Sequence, residues 1–205
     1  MLSDSKLQQI KDGYPIGTKI KLLKDMDDPY PVLAGSIGVV KEIDSEGSLH
    51  MSWENGGSLA LIIGVDEFEI IEKPEKIKVV IVEPEKNPYS KEIYNTLEAK
   101  QEIVGGLIQC VPSYFSNDIS YDFIMNDEGK LMGLPLNRFI WDKQDLVAGN
   151  LIIAKADEET GEFVSLTEDE VSFIKERIEK DCPKVTPMDL YNILHDDQEH
   201  DEVEM

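Results

Sequence analysis

Six residues in the middle of the chain are suited to holding an anionic ligand. They are Gln101, Gly105, Asn126, Lys130, Asn137 and Arg138. The guanidinium of Arg138 is a planar donor fork for a carboxylate or a phosphate, a geometry that lysine does not copy. The amides orient a ligand but supply no general base. This set therefore favours sequestration of a nucleotide or another anionic metabolite over its turnover.

The same residues have structural interpretations, which stay open at this point. Gln101 falls on the apolar face of a predicted helix, where a buried amide ties the helix to a sheet through backbone groups. Gly105 begins a glycine pair that is typical of a turn ending a helix. Arg138 can instead pair with an internal carboxylate such as Asp127 or Glu128, and Lys130 can be solvated.

The sequence shows no nucleophilic or metal-binding constellation. His50 lies in a predicted strand, and His195 and His200 lie in an acidic C-terminal region, so none stands beside a serine or cysteine in a catalytic motif. The two cysteines, Cys110 and Cys182, form no CxxC pair. We therefore predict a non-enzymatic protein with no cofactor and no metal ion.

The first domain, residues 1–75, is predicted to be a small SH3-like β-barrel that follows a short helix capped by Ser3. Five short strands with tight turns between them favour this fold, and one strand is expected over residues 59–63. Tyr30 and Trp53, with the prolines beside Tyr30, could line a groove for a proline-rich or extended peptide. Packing of Trp53 in the core is the alternative.

The second domain, residues 76–156, is predicted to be a mixed α+β unit. Residues 77–82 are typical of a strand buried on both faces, and a helix is expected from Ser90 through Ile103. Further strands are expected over residues 107–111, 121–125 and 151–154. The apolar spacing over residues 130–142 fits neither a helix nor a strand.

The third region, residues 157–205, carries −13 of the net charge of −22. Thr167 and Glu170 form a capping box before an apolar stripe, which predicts a helix over residues 167–180. Another helix is expected over residues 187–194, and the acidic residues beyond His195 are expected to be disordered. The predicted chain is thus α+β: a barrel, a mixed domain and an acidic helical extension.

Composition limits the partners and the compartment. The 205 residues include 20 lysines and arginines against 42 acidic residues, a balance that opposes binding of nucleic acid by a basic face. Residues 76–156 are nearly neutral at −2, so an anion meets least repulsion there. The chain has no disulfide framework, signal pattern or long apolar run. We therefore expect a soluble, cytoplasmic protein without membrane contact.

Short motifs in both halves are similar to known families. The first half carries IGTKIKL over residues 16–22, DPYP over 28–31, GSIGVV over 35–40 and GSLHMSWENG over 47–56. These motifs resemble domain of unknown function 4314. The second half carries QEIVGG over residues 101–106, NDEGK over 126–130 and LPLNR over 134–138, which resemble domain of unknown function 3846.

The resemblance implies an accessory protein of a phage or another mobile element, with no biochemical role to carry over. Our leading hypothesis is a protein that binds a host or element-encoded protein through its α+β domain, with the barrel as a second contact surface. Sequestration of a nucleotide by the middle domain is one alternative. Mimicry of DNA by the acidic region is another, although a mimic needs an extended, ordered track of carboxylates. The oligomeric state stays open.

Overall fold

The computed structural model describes residues 2–117 and 119–192. The chain is mixed α+β, with more strand than helix. It divides into two compact units. The first unit contains the residues up to Lys76 together with Tyr94–Ala99, and the second contains Ile77–Ile93 and the residues from Lys100 onward.

The first unit is a four-stranded sheet with one helix. Helix α1 spans Asp4–Gly13 and is capped by the Ser3 side chain, as the sequence predicted. Strands β1 (Lys19–Leu22), β2 (Ile37–Ile43), β3 (Leu49–Trp53) and β4 (Phe68–Glu72) follow. They lie in the order β3-β2-β1-β4, and all neighbours are antiparallel.

The strand predicted over residues 59–63 is wrong, because this segment makes only isolated bridges. One joins Leu49 to Leu61, and another joins Ile63 to Asp66. The carboxylate of Asp66 accepts the Ile62 N–H, so a local turn binds a donor that a ladder would use. Within the described residues the sheet is open. Closure into an SH3-like barrel therefore stays a prediction.

The core of the first unit forms on one face of this sheet, because apolar and polar residues alternate along β3. Trp53 is 3% exposed and donates its indole N–H to the Leu59 carbonyl oxygen at 2.8 Å. Gly38 lies against the indole, and a Cβ at this position would come within 2.6 Å of the ring. Gly38 therefore permits the close approach of β2 to Trp53.

The second unit is a larger sheet with a helix on each side. Apart from Lys76, Tyr94 and residues 97–99, which belong to the first unit, it contains β5 (Lys76–Val82), β6 (Tyr89–Tyr94), α2 (Leu97–Val104), β7 (Ile108–Pro112), β8 (Tyr121–Asn126), β9 (Leu136–Ile140), β10 (Asp145–Ala148), β11 (Leu151–Ala156), β12 (Phe163–Val164) and α3 (Glu168–Asp181). The strand order is β6-β5-β11-β8-β7, and β12 pairs with β11. Strands β9 and β10 form a separate antiparallel hairpin. Residues 187–192 are helical, and the last two residues of the helix predicted there lie outside the described residues.

Two apolar layers cover the faces of the large sheet. On one face, Val171, Ile174 and Ile178 of α3 pack with Phe123 and Ile153. On the other face, residues of α2 pack with the alternate residues of the same strands. Because both faces are covered, β11 is apolar at consecutive positions. None of the described helices combines the length and apolar character needed to cross a bilayer.

The helix predicted from Ser90 is wrong at its start. Residues 89–94 form β6, and the Thr96 hydroxyl accepts the Ala99 N–H at 3.2 Å, so the helix begins at Leu97. This shift changes the buried face: Lys100 and Val104 are enclosed, while Gln101 is half-buried. The ambiguous stretch over residues 130–142 contains β9.

The predicted capping box of α3 is confirmed, and it makes a testable contribution to stability. Thr167 accepts the Glu170 N–H, and the Glu170 carboxylate accepts the Thr167 N–H. We expect Thr167→Ala to lower the free energy of unfolding by about 1 kcal/mol, measured by urea titration. Ser172→Ala, in the interior of the same helix, is the control and should leave it nearly unchanged. If the two variants have the same free energy of unfolding, the capping box does not contribute to stability.

Candidate functional site

A cleft of about 540 Å³ opens in the second unit where three segments meet. The loop after β7 contributes residues 113–115, the β9–β10 turn contributes residues 141, 142 and 144, and the end of α3 contributes residues 177, 181 and 182. Its lining is Ser113, Tyr114, Phe115, Trp141, Asp142, Gln144, Arg177, Asp181 and Cys182. A concave surface with aromatic walls and a few polar groups is typical of binding sites.

Three of the lining residues have left-handed backbone conformations although none is glycine. The φ angles are 56° at Tyr114, 51° at Trp141 and 53° at Asp142, and Lys143 continues the run at 66°. Such a conformation costs roughly 1–2 kcal/mol for a residue with a Cβ, although aspartate tolerates it better than most. Backbone strain of this kind concentrates at functional sites, because the surrounding structure must hold it in place.

Two aromatic rings form the mouth of the cleft. The centroids of Tyr114 and Trp141 lie 6.4 Å apart, with the ring planes tilted by 58°. Trp141 is fixed by donating its indole N–H to the Pro112 carbonyl oxygen at 3.0 Å. Tyr114 is 73% exposed. Its ring is therefore free to contact a bound group.

The charged residues of the cleft favour a neutral or cationic occupant. Arg177 Nε lies 2.8 Å from Asp181 Oδ2, and the contact is an ion pair whose direction is too oblique for a hydrogen bond. The same guanidinium lies 5.8 Å from the centre of the Phe115 ring. With Asp142, the lining has two carboxylates against one guanidinium. An anion would meet net repulsion.

Cys182 lines the cleft but is not a nucleophile at neutral pH. Burial raises the pKa of its thiol to about 12, and the neighbouring Asp181 carboxylate adds to this effect. Arg138 and Arg177 act in the opposite direction and are outweighed. The thiol is therefore protonated at neutral pH, when only a thiolate attacks efficiently.

The structure places Arg138 behind the cleft, not in its lining. The side chain is 1% exposed, and it donates to the Cys182 carbonyl oxygen at 3.0 Å and to Glu179 Oε1 at 2.6 Å. The last carbonyl groups of a helix have no partner within the helix, and a guanidinium in this position donates a hydrogen bond to one of them at the end of α3. The carboxylate partner is Glu179, and not one of the turn residues near position 127.

The two predicted asparagines bind backbone groups. Asn137 donates to the carbonyl oxygens of Val82 and Gly149, each at 2.8 Å. Asn126 donates to the Val104 carbonyl oxygen at 3.3 Å and accepts the Glu128 N–H at 2.9 Å. Both side chains are buried, so their amides join strands and turns.

The remaining predicted site residues lie apart from the cleft. Gly105, with a φ of 78°, ends α2 by donating its N–H to the Gln101 carbonyl oxygen. Lys130 forms an exposed ion pair with Asp145. None of the six residues lines the cleft, and Asn137 and Arg138 contact different elements although they are adjacent in β9. Of the barrel-groove pair, Tyr30 is 90% exposed and Trp53 is buried.

The sequence gives little sign of the cleft. Tyr114 and Trp141 are separated by 27 positions, and no glycine or asparagine marks their left-handed conformations.

Within the described residues, no group of three or more His, Cys, Asp or Glu side chains is arranged to hold a metal ion.

The order of the two predicted domain resemblances is confirmed by comparison with family models. Residues 3–71 match a domain of unknown function, DUF4314, and residues 77–179 match a second domain of unknown function, DUF3846. The cleft extends slightly beyond the second match, because Asp181 and Cys182 follow it. No curated protein and no solved structure gave a match.

The two thiols should differ in reactivity. Cys110 is exposed, and burial of the thiol followed by the Asp122 charge raises its pKa above the ordinary 9.0. We expect an alkylating reagent to modify Cys110 in the folded protein, faster as the pH rises toward that pKa. Cys182 should react only after unfolding in urea. Timed labelling with peptide mass spectrometry measures both rates, and equal modification in the folded state would place the Cys182 thiol at the surface.

The strain in the β9–β10 turn can be measured by substitution. Lys143→Gly removes the Cβ at a φ of 66° but loses the contact of Lys143 with the Phe139 ring. We expect the free energy of unfolding to rise by about 0.5 kcal/mol. Lys180→Gly, in α3, is the matched control and should lower it by about 1 kcal/mol. A similar loss in both variants would show that the turn is unstrained.

Proposed function

We propose that this chain, which belongs to the DUF3846 family, is a non-enzymatic accessory protein that binds a partner protein through the cleft of its second unit. We further propose, on the family resemblance alone, that it acts in the cytoplasm on behalf of a phage or another mobile element. The first unit, whose closure into an SH3-like barrel is also proposed, would supply a second contact surface around the exposed Tyr30.

The observation that carries this proposal is the pair of aromatic residues held at positive φ at the mouth of the cleft. Tyr114 and Trp141 belong to different segments, and each has a backbone conformation that its residue type disfavours. The arrangement presents ring surface to solvent at a fixed spacing. Exposed aromatic side chains of low conformational freedom are frequent anchors of protein interfaces.

Sequestration of a nucleotide has less support. The guanidinium expected to hold a phosphate, that of Arg138, is buried and bonded to Glu179 and to a backbone carbonyl. In the cleft, Arg177 already has a carboxylate partner. A phosphate would therefore compete with existing ion pairs in a lining that carries an excess of negative charge.

Mimicry of DNA also has less support from the described part of the acidic region. At the start of α3, Glu168 pairs with Lys78 and Glu170 pairs with Lys155. These pairs reduce the net charge of the track that a mimic needs. With Glu179 and Asp181, four of the eleven carboxylates in residues 157–192 form ion pairs within the second unit.

The binding proposal is tested by photo-crosslinking in the host cell. The crosslinker p-benzoylphenylalanine replaces Tyr114 in one variant and Leu131 in another. Leu131 is the control, because it is 87% exposed but does not line the cleft. We expect a discrete crosslinked partner from position 114 and none from position 131. Adding Trp141→Ala to the Tyr114 variant should remove most of the product.

Three outcomes would count against the proposal. The first is equal crosslinking from both positions, and the second is a product that survives Trp141→Ala in a folded protein. The third is no product at position 114, combined with stabilisation of the purified protein by a nucleotide in a thermal-shift assay. That last result would restore the sequestration hypothesis.

A further inference from the structure

The second unit has a sheet edge that leads directly into the cleft. Strand β7 is the last strand of the order β6-β5-β11-β8-β7, so only one of its sides is paired within the described residues. The residues that follow it, Ser113 and Tyr114, line the cleft. A chain lying along β7 would therefore extend toward the two aromatic rings.

The register of β7 against β8 identifies which backbone groups face outward. Ser113 donates its N–H to Tyr121, and the Leu107 carbonyl accepts the Asp127 N–H, so the odd-numbered residues of β7 bond to β8. The N–H and C=O groups of Ile108 and Cys110 consequently point away from the sheet. Pro112 has no N–H, and its outward carbonyl accepts the Trp141 indole N–H. The free part of the edge thus ends at Trp141.

This edge lacks the charged side chains that most often prevent strand pairing. Residues 107–112 read LIQCVP and contain no charged side chain, although charged residues make up 30% of the chain. Leu107, the first of these residues, is 60% exposed. Natural proteins normally protect an edge strand with charges, most often lysine. An uncharged edge next to a binding cleft is suited to strand addition.

The charges around the edge select the occupant. Asp142 and Asp181 line the cleft beyond the end of the edge, and because Arg177 balances Asp181, the lining keeps one net negative charge. A second copy of this chain has a net charge of −22 and would be repelled overall. A segment with a basic side chain is attracted instead, and the Tyr114 and Trp141 rings offer faces for its cation.

We infer that β7 binds an extended segment of the partner protein as an additional strand, and that the cleft binds a basic side chain of that segment. The inference rests on the proposed function and specifies its partner. Side chains of the added strand alternate between the two faces of the sheet, so every second one lies on the α3 side, where the cleft opens. A lysine or arginine at one such position would reach the aromatic mouth.

The test uses fluorescent peptides and the full chain. The probe is the capped peptide TVTRTVT, compared with TVTETVT by fluorescence anisotropy. We expect the arginine peptide to bind about tenfold more tightly than the glutamate peptide. Two further probes carry N-methyl groups on alternate amides, one set on the odd positions and one on the even positions. Only one edge of an added strand contacts β7, so only one of these should lose affinity, by about tenfold.

Two protein variants address the same contacts. Cys110→Pro removes one outward N–H without touching the ladder to β8 and should weaken the arginine peptide about tenfold. Cys110→Ser loses the thiol but keeps the backbone N–H. Comparing the affinities of the two variants therefore separates the effect of the lost donor from the effect of the lost thiol. Asp142→Asn keeps a residue type that tolerates positive φ and should narrow the preference for arginine over glutamate. Circular dichroism verifies the fold of each variant, and the methylated peptides test the edge even where Cys110→Pro fails to fold.

Several results would overturn the inference. Equal loss of affinity from both methylated peptides, or from neither, would exclude strand addition. Equal binding of the arginine and glutamate peptides would exclude recognition of a basic side chain. A wild-type dimer in sedimentation that Cys110→Pro abolishes would identify a second copy as the occupant. If no peptide binds up to about 1 mM while Tyr114 still crosslinks a partner, the strand inference fails and the proposed function stands.

Discussion

The guanidinium of Arg138 connects the β9–β10 hairpin to the last turn of α3, and the geometry of the cleft depends on this connection. It is completely enclosed, and its partners are the Cys182 carbonyl oxygen and the Glu179 carboxylate. Removing such a cation from water costs several kcal/mol, which only close, well-directed partners offset. Backbone bonds from Phe139 to Pro183 and from Val185 to Asn137 hold the same segments together. These bonds fix the distance between two walls of the cleft, the β9–β10 turn and the end of α3.

Local signals predicted those parts of the fold whose causes are local. The capping box at Thr167 and Glu170 marked α3, and the β-branched run after residue 76 marked a strand buried on both faces. Residues 59–63 have the composition of a strand, but the Asp66 side chain binds the Ile62 N–H and ends ladder formation. The start of α2 was misplaced because Ser90 is as good a cap in sequence terms as the Thr96 that forms it.

The candidate site was harder to predict because its cause is tertiary. Polar residues in an apolar stretch, such as Asn137 and Arg138, are singled out by sequence. Here Arg138 joins β9 to the end of α3, which frames the cleft, and Asn137 joins β9 to β5 and to the turn before β11. The residues that line it come from three segments, and their backbone strain is imposed by the packing around them. In the sequence, nothing distinguishes Tyr114 and Trp141 from aromatic residues that lie in loops or in a core. Only the fold brings their rings together.

The bond between Trp141 and Pro112 also limits how far copies of this chain can stack through the uncharged edge of β7. Growth of a cross-β assembly needs edges long enough for each copy to template the next. Here the indole occupies the last outward carbonyl, and proline removes the last outward donor, so two residues remain available on β7. An edge with two free residues is long enough to pair with one added strand. It is too short to template a stack of identical chains. Trp141, which frames the cleft, thus also ends the part of the sheet edge that can form hydrogen bonds with another strand.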